Sequence, residues 1–187
     1  MKFTKETIKN IIFLIIILLI IIPQTRKPIQ VFLQKGVMLI NKPSIEKKET
    51  LVKLIDYNWN LMDGTNTPYN LKEAKGNVIL INFWATWCPP CIAEMPSLQK
   101  FYDDYNEKVT FLFVTNEELS DITPFLEKKQ YTFEVYRPTS NYPVAFDVTS
   151  IPRTFLIDKE GNIIIDETGA TNWNGETVRN TIDGLLK

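Results

Sequence analysis

The order of apolar and polar positions divides this chain into an apolar N-terminal rod, a mixed connector and a region of alternating strand and helix patterns. Lys2, Lys5 and Lys9 lead into an unbroken apolar run of twelve residues, Ile11 to Ile22, which Pro23 ends. A basic lead before an apolar run of this size fits an export signal. The next residues, Pro-Gln-Thr-Arg-Lys-Pro, offer none of the small side chains that a signal peptidase prefers. Residues 1–27 therefore read as an uncleaved signal anchor rather than a cleaved peptide. The run is shorter than the ~20 residues of a full span, and extension to Ile8 and Gln24 with Lys9 snorkelling brings it within reach. Arg26, Lys27 and Lys35 beyond the run nearly balance the lysines before it, so charge alone does not orient the segment.

Residues 28–50 read as a linker. Ile29, Val31, Phe32, Leu33, Val37, Met38, Leu39 and Ile40 are interrupted by Gln30, Gln34, Lys35 and Gly36. That pattern fits a short helix on the membrane surface and a strand-like extension of the domain equally well. Pro43 to Thr50 is charged and reads as a tether. Residues 51–187 read as one globular domain. Tyr57 to Met62 alternates as a strand, Asp63-Gly64 is a turn, and Tyr69 to Leu71 starts a second strand or loop. Val78 to Trp84 is a central strand, because four consecutive aliphatics leave no solvated face. Cys91 to Tyr105 carries apolar residues at helical spacing, and Val109 to Thr115 is a second buried strand. Ser120 or Asp121 caps a helix that runs to about Gln130, and Thr132 to Tyr136 is a short strand. Thr154 to Asp158 and Ile163 to Asp166 flank a turn as a hairpin, and Asn174 caps a last helix.

Composition removes several functions. A formal net charge of -1 gives no electrostatic case for nucleic acid. The chain has no histidine, which excludes Ser-His-Asp and Cys-His catalysis and any His-containing metal site. Its only cysteines, Cys88 and Cys91, cannot make a four-thiolate metal site within one chain. No metal and no cofactor are expected.

The two cysteines stand three positions apart where the strand pattern breaks into a helix. A structural bridge there closes too small a loop to constrain the unfolded chain. A thiol at a helix N-terminus faces unpaired N–H groups and the positive end of the helix dipole, which favours its thiolate. A thiolate attacks a disulfide, and a second thiol one turn on resolves the mixed disulfide. The pattern therefore points to thiol–disulfide exchange. Pro89 and Pro90 stiffen the turn, remove two N–H donors near Cys88 and so tune its potential.

Strand–helix–strand–helix–hairpin–helix is the order of a thioredoxin fold, an α/β architecture with a central mixed sheet flanked by helices. The run from Leu80 to Cys91, with Glu94-Met95-Pro96 behind it, resembles the TlpA/ResA group of membrane-anchored thioredoxin-like proteins. Ile151-Pro152-Arg153-Thr154-Phe155-Leu156-Ile157-Asp158, with Gly161 and Asn162, is similar to that group's second signature, and the N-terminal anchor fits its architecture. The resemblance implies that Cys88 is the exposed attacking thiol and Cys91 the more buried resolving one. It implies that Pro152 is a cis-proline against the sulfurs and that the Ile151 backbone pairs with an extended client. It also implies that Glu94 handles protons beneath the disulfide. Trp87 and Trp84 are expected to pack around the active-site loop and shape the client surface, and simple core packing is a nearly equal reading for Trp84. Asn82 departs from ordinary thioredoxins, which carry an aspartate at the matching position.

The resulting expectation is a reductase of disulfides in exported client proteins, for example in cytochrome maturation, fed by a membrane thiol-transfer donor. It would sit in the cytoplasmic membrane as a single-pass protein, with its catalytic domain on the extracytoplasmic side. An oxidase or isomerase of the same fold is the alternative, and a non-catalytic tethered binding module is a further one. A peroxiredoxin is excluded, since Ala85 and Ile81 stand where that signature requires threonine and proline.

Overall fold

The computed structural model describes residues 4–38, 41, 43–46 and 51–187. Two helices come first, α1 (Lys5–Ile21) and α2 (Pro23–Met38), bent by 89° about Ile22. Among the described residues no single helix is long and apolar enough to cross a membrane, although the bent pair together has the length and composition. Residues 28–38, for which the sequence left helix and strand open, are helical. Pro28 lies within that helix, and Pro23 opens it, where a missing N–H costs nothing. The expected tether is ordered in its described part: Ile45 bridges Ile165, and the Glu46 N–H donates to the Ile164 carbonyl at 2.9 Å. Residues 47–50 lie outside the described residues.

The domain is built on a seven-stranded sheet. Its strands are β1 (Asn60–Asp63), β2 (Pro68–Asn70), β3 (Val78–Phe83), β4 (Val109–Val114), β5 (Val135–Pro138), β6 (Arg153–Ile157) and β7 (Ile163–Thr168). Their spatial order is β2-β1-β5-β4-β3-β6-β7. β3, β4 and β5 run parallel, and β1, β6 and β7 join by antiparallel pairing. Helices α3 (Pro89–Tyr105) and α4 (Leu119–Lys129) link the parallel strands, and α5 (Glu176–Leu185) closes the chain. The β3–α3–β4 and β4–α4–β5 crossovers step the same way along the sheet, so right-handed connections put both helices on one face.

Every residue of β3 is buried, and alternate residues feed two cores. Val78 and Leu80 meet Met95, Leu98 and Phe101 of α3, Ile122 of α4, and Val178 and Ile182 of α5. Ile79, Ile81 and Phe83 point the other way, into Trp59, Leu61, Phe146 and Phe155. Gly161 turns the β6–β7 hairpin at φ +86°, and a Cβ there would lie 2.7 Å from the Tyr57 hydroxyl, so only glycine fits.

Several expected bounds and caps shift. β1 begins at Asn60, three residues beyond the expected Tyr57 start, because the Asn58 N–H is taken by Asp56 and the Trp59 N–H by the Tyr57 carbonyl. β5 begins three residues beyond the expected Thr132 start, because Thr132 is instead tied to Gln99 of α3. Glu118 rather than Ser120 or Asp121 is the N-cap of α4; it makes no side-chain cap bond, and its carboxylate pairs with Arg137. Gly175 rather than Asn174 is the N-cap of α5, and the Asn174 amide oxygen accepts from Arg179.

Candidate active site

β3 delivers the chain to the end of the sheet, where residues 84–87 form a tight turn and Cys88 caps α3. Cys88 and Cys91 are joined by a disulfide with their Cα atoms 5.3 Å apart. Pro89 and Pro90 occupy the first helical positions, where a missing donor costs least. They leave the Cys91 N–H as the first donor of α3, and it points at the Cys88 Sγ from 3.2 Å. That amide and the helix dipole both stabilise negative charge on Cys88.

Cys88 is not the exposed thiol that the family resemblance suggests, since only 3% of it is accessible in the disulfide form. The cis Ile151–Pro152 bond brings the Ile151 carbonyl oxygen within 3.8 Å of its Sγ. Trp87 is the exposed residue of the turn, at 62%. Trp84 belongs to the core, tilted against Phe125 and edge-on to Phe133. A cleft of about 540 Å³ opens beside the turn, with Trp87, Asn116, Tyr142 and Ile151 among its walls.

Glu94 lies one turn inside α3 from Cys91 and is buried. Its Oε1 accepts from Asn82 Nδ2 at 2.9 Å, and its Oε2 accepts from the Thr171 N–H at 3.2 Å and Trp173 Nε1 at 3.1 Å. Burial far from water raises its pKa from 4.5 to about 8 against these three donors, with the Glu167 carboxylate adding to the rise. The group is thus poised to gain or lose a proton near neutral pH.

Asn82 joins that network from β3. Its Nδ2 also donates to Thr154 Oγ1 at 2.7 Å, while its Oδ1 is buried without a partner. A half-turn of the amide exchanges oxygen and nitrogen, so Asn82 can donate to an ionised Glu94 or accept from a neutral one.

The sequence pattern missed the residues that hold these groups. Glu117 takes the Thr86 N–H on Oε2 and the Thr86 hydroxyl on Oε1, both at 2.6 Å. Lys27 of α2 donates to the Thr86 carbonyl at 3.1 Å, so the turn is held from two sides. Thr154, Thr171 and Trp173 reach Glu94 or Asn82 only through the fold. Among these, only Thr154 lay within a stretch that the sequence singled out.

A family model described as Redoxin matches residues 44–185. The thioredoxin-like protein YneN of Bacillus subtilis is 35% identical over 98 residues, which are 50% of this chain and 58% of that protein, less than two thirds of its length. The thiol-disulfide oxidoreductase ResA of Bacillus thuringiensis is 30% identical over 140 residues, covering 70% of this chain and 73% of that protein. A crystal structure of a putative thiol:disulfide interchange protein DsbE from Chlorobium tepidum superposes with a TM-score of 0.62 at 25% identity, covering 77% of this chain and all of that one.

Proposed function

This chain belongs to the Redoxin family and has a thioredoxin-like fold, and from that premise we propose that it is a thiol–disulfide oxidoreductase working as a reductase of client protein disulfides. The observation that carries the reading is the Cys88–Cys91 disulfide at the N-terminus of α3, facing the cis-proline loop, with a buried acid one turn behind it.

In the reduced protein the Cys88 thiolate attacks one sulfur of a client disulfide, and the other client sulfur leaves as a thiolate that takes up a proton. The Cys91 thiol then gives its proton to Glu94, and its sulfur attacks Cys88 Sγ. The client's second sulfur leaves as a thiolate and takes the proton that Glu94 received, and the Cys88–Cys91 disulfide remains. Two electrons and two protons have moved to the client, and a donor dithiol of a membrane thiol-transfer protein restores them. The cleft beside Trp87 and Ile151 receives the client segment, whose backbone pairs with that of Ile151. Pro89 and Pro90 limit the thiolate's donors to the Cys91 amide and thereby tune the potential.

α1 supports an anchor, because it is apolar without a break from Ile11 to its end at Ile21 and none of its residues is buried by the protein. At 1.5 Å per residue the helix reaches ~25 Å, a length that counts on Lys9, within its N-terminal part, to snorkel. The proposed location is the cytoplasmic membrane, crossed once, with the domain on the extracytoplasmic side where disulfide chemistry belongs. The clients are exported proteins, apocytochromes among them.

The test is the Cys88/Cys91 reduction potential of the full chain in glutathione and dithiothreitol buffers. A value near or below about -230 mV supports a reductase, and one above roughly -150 mV reassigns the protein as a disulfide-forming oxidant. Cys88→Ser is expected to abolish disulfide turnover in either case.

A further inference from the structure

α2 has two unlike faces. At about 100° per residue, Lys27, Val31, Gln34 and Met38 share one side, and Ile29, Phe32, Leu33 and Gly36 share the opposite one. The first side docks on the domain. Met38 is buried with Ala93 of α3 and Ala170, Val31 packs against them, and Lys27 reaches the Thr86 carbonyl. The second side is left uncovered by the protein, with Phe32 76% and Leu33 62% exposed. A helix in water carries polar residues there. In α2 the charges other than Lys27 lie on the flanks, Arg26 on one and Lys35 on the other.

The direction of α1 matches this division. It leaves α2 at 89°, and the Thr25 hydroxyl, on the same side of α2 as Phe32, donates back to the Leu19 carbonyl at 2.7 Å. The apolar rod therefore departs from the apolar side of α2, away from the domain. With α1 along the membrane normal, α2 lies in the membrane plane with Ile29, Phe32 and Leu33 turned toward it. Arg26 and Lys35 are then placed beside anionic headgroups.

We propose that α2 is an interfacial foot, lying flat on the bilayer with its outer side in the headgroup and acyl boundary and its inner side clamped to the active-site helix. This rests on the anchor reading of α1. The cleft of about 490 Å³ between Arg26, Lys27 and Gln30 of α2 and Trp87, Pro89 and Pro90 joins the foot to the active-site turn. The turn is thereby held about one helix diameter, ~10 Å, above the bilayer. A membrane thiol donor must present its dithiol at headgroup level, and a client must approach along the membrane surface.

The test uses the full chain with Cys88→Ser and Cys91→Ser, and a single nitroxide-labelled cysteine at Ile15, Ile29, Phe32, Leu33 or Lys35. All five positions are exposed in the protein, so the labels leave its packing intact. Each variant is reconstituted in vesicles of phosphatidylcholine with a minority of phosphatidylglycerol, and collisions with oxygen and with a water-soluble nickel complex are compared. The expected result is loss of nickel collisions with retained oxygen collisions at Ile15, Ile29, Phe32 and Leu33, and free nickel access at Lys35. Lipid-like Ile15 with nickel-accessible Ile29, Phe32 and Leu33 overturns the foot and leaves the anchor standing. Shielding of those three sites from both reagents also overturns it, since protein then covers the face. Nickel access at Ile15 removes the anchor, and the foot with it.

Discussion

Glu94 and Asp158 are both buried carboxylates that accept three hydrogen bonds, yet they belong to different kinds of structure. The donors to Asp158 all come from its own turn: the Glu160 N–H, the Asn162 N–H and the Asn162 side chain, two to four residues away. The donors to Glu94 come from β3 and from the segment before α5, 12, 77 and 79 residues away. Asp158 stands at the rim beside exposed Lys159 and Glu160, whereas Glu94 lies under the active-site turn, where burial outweighs its donors. Three donors do not make Glu94 a fixed anion, because its depth under the turn keeps its proton negotiable.

The most severe way to break this contrast is to take the proton site from Glu94 while keeping its shape. Glu94→Gln is expected to slow resolution of the mixed disulfide by roughly 100-fold, the usual size of a lost acid–base group. Stopped-flow release of client thiol across pH reads it directly. The rate of the native protein should respond to a group near pH 8, and that response should vanish in the variant. An unchanged rate and pH profile would falsify the assignment of the proton to Glu94.

Stability gives the same contrast in a second quantity. Glu94 titrates at 4.5 when unfolded and at about 8 when folded, so between those values the folded chain holds a proton that the unfolded chain has released. The stability contributed by neutral Glu94 is complete below pH 4.5 and is lost as pH rises through 8. Its steepest slope is about 1.4 kcal/mol per pH unit. Urea denaturation of the oxidised protein at a series of pH values should show this decline, and Glu94→Gln should flatten it.

At Asp158 the expected loss is smaller and purely structural. Asp158→Asn keeps an oxygen for the two backbone donors but sets an amide nitrogen against Asn162 Nδ2, at a cost of about 1 kcal/mol. Disulfide turnover should be unaffected. A turnover defect with intact folding would erase the distinction between the two carboxylates.

The same contrast explains what was readable in the sequence. Asp158 and its turn were legible because everything they need lies within four residues, and β3 because its aliphatic run requires cover on both faces. The cysteine pair was legible because spacing and a strand-to-helix switch already carry its chemistry. Glu94 was picked out through family resemblance, but its depth, Thr171 and Trp173 come from loop packing across more than seventy residues, which no local pattern encodes. The low accessibility of Cys88 likewise depends on a loop 63 residues away. The caps of α4 and α5 were misplaced because Ser120, Asp121 and Asn174 all have capping chemistry, and the Asn174 amide oxygen is instead taken by Arg179, five residues on in α5. Residues 28–38 stayed ambiguous because one side of α2 is written for the domain and the other is apolar without cover.

The finest test moves the balance at Glu94 without removing it. Trp173 is fully buried, and its indole N–H is the strongest of the three donors that hold the Glu94 pKa down. Trp173→Phe deletes that donor and keeps an aromatic ring in the same core. The anionic form loses a charge-assisted bond while the neutral form loses little. The pKa of Glu94 must therefore rise above about 8, and the pH response of mixed-disulfide resolution should move to higher pH by a fraction of a unit. A loss of packing alone predicts lower stability at every pH with the titration unmoved. Recording both the urea midpoint and the pH profile of one variant separates a donor to the proton site from a filler of the core.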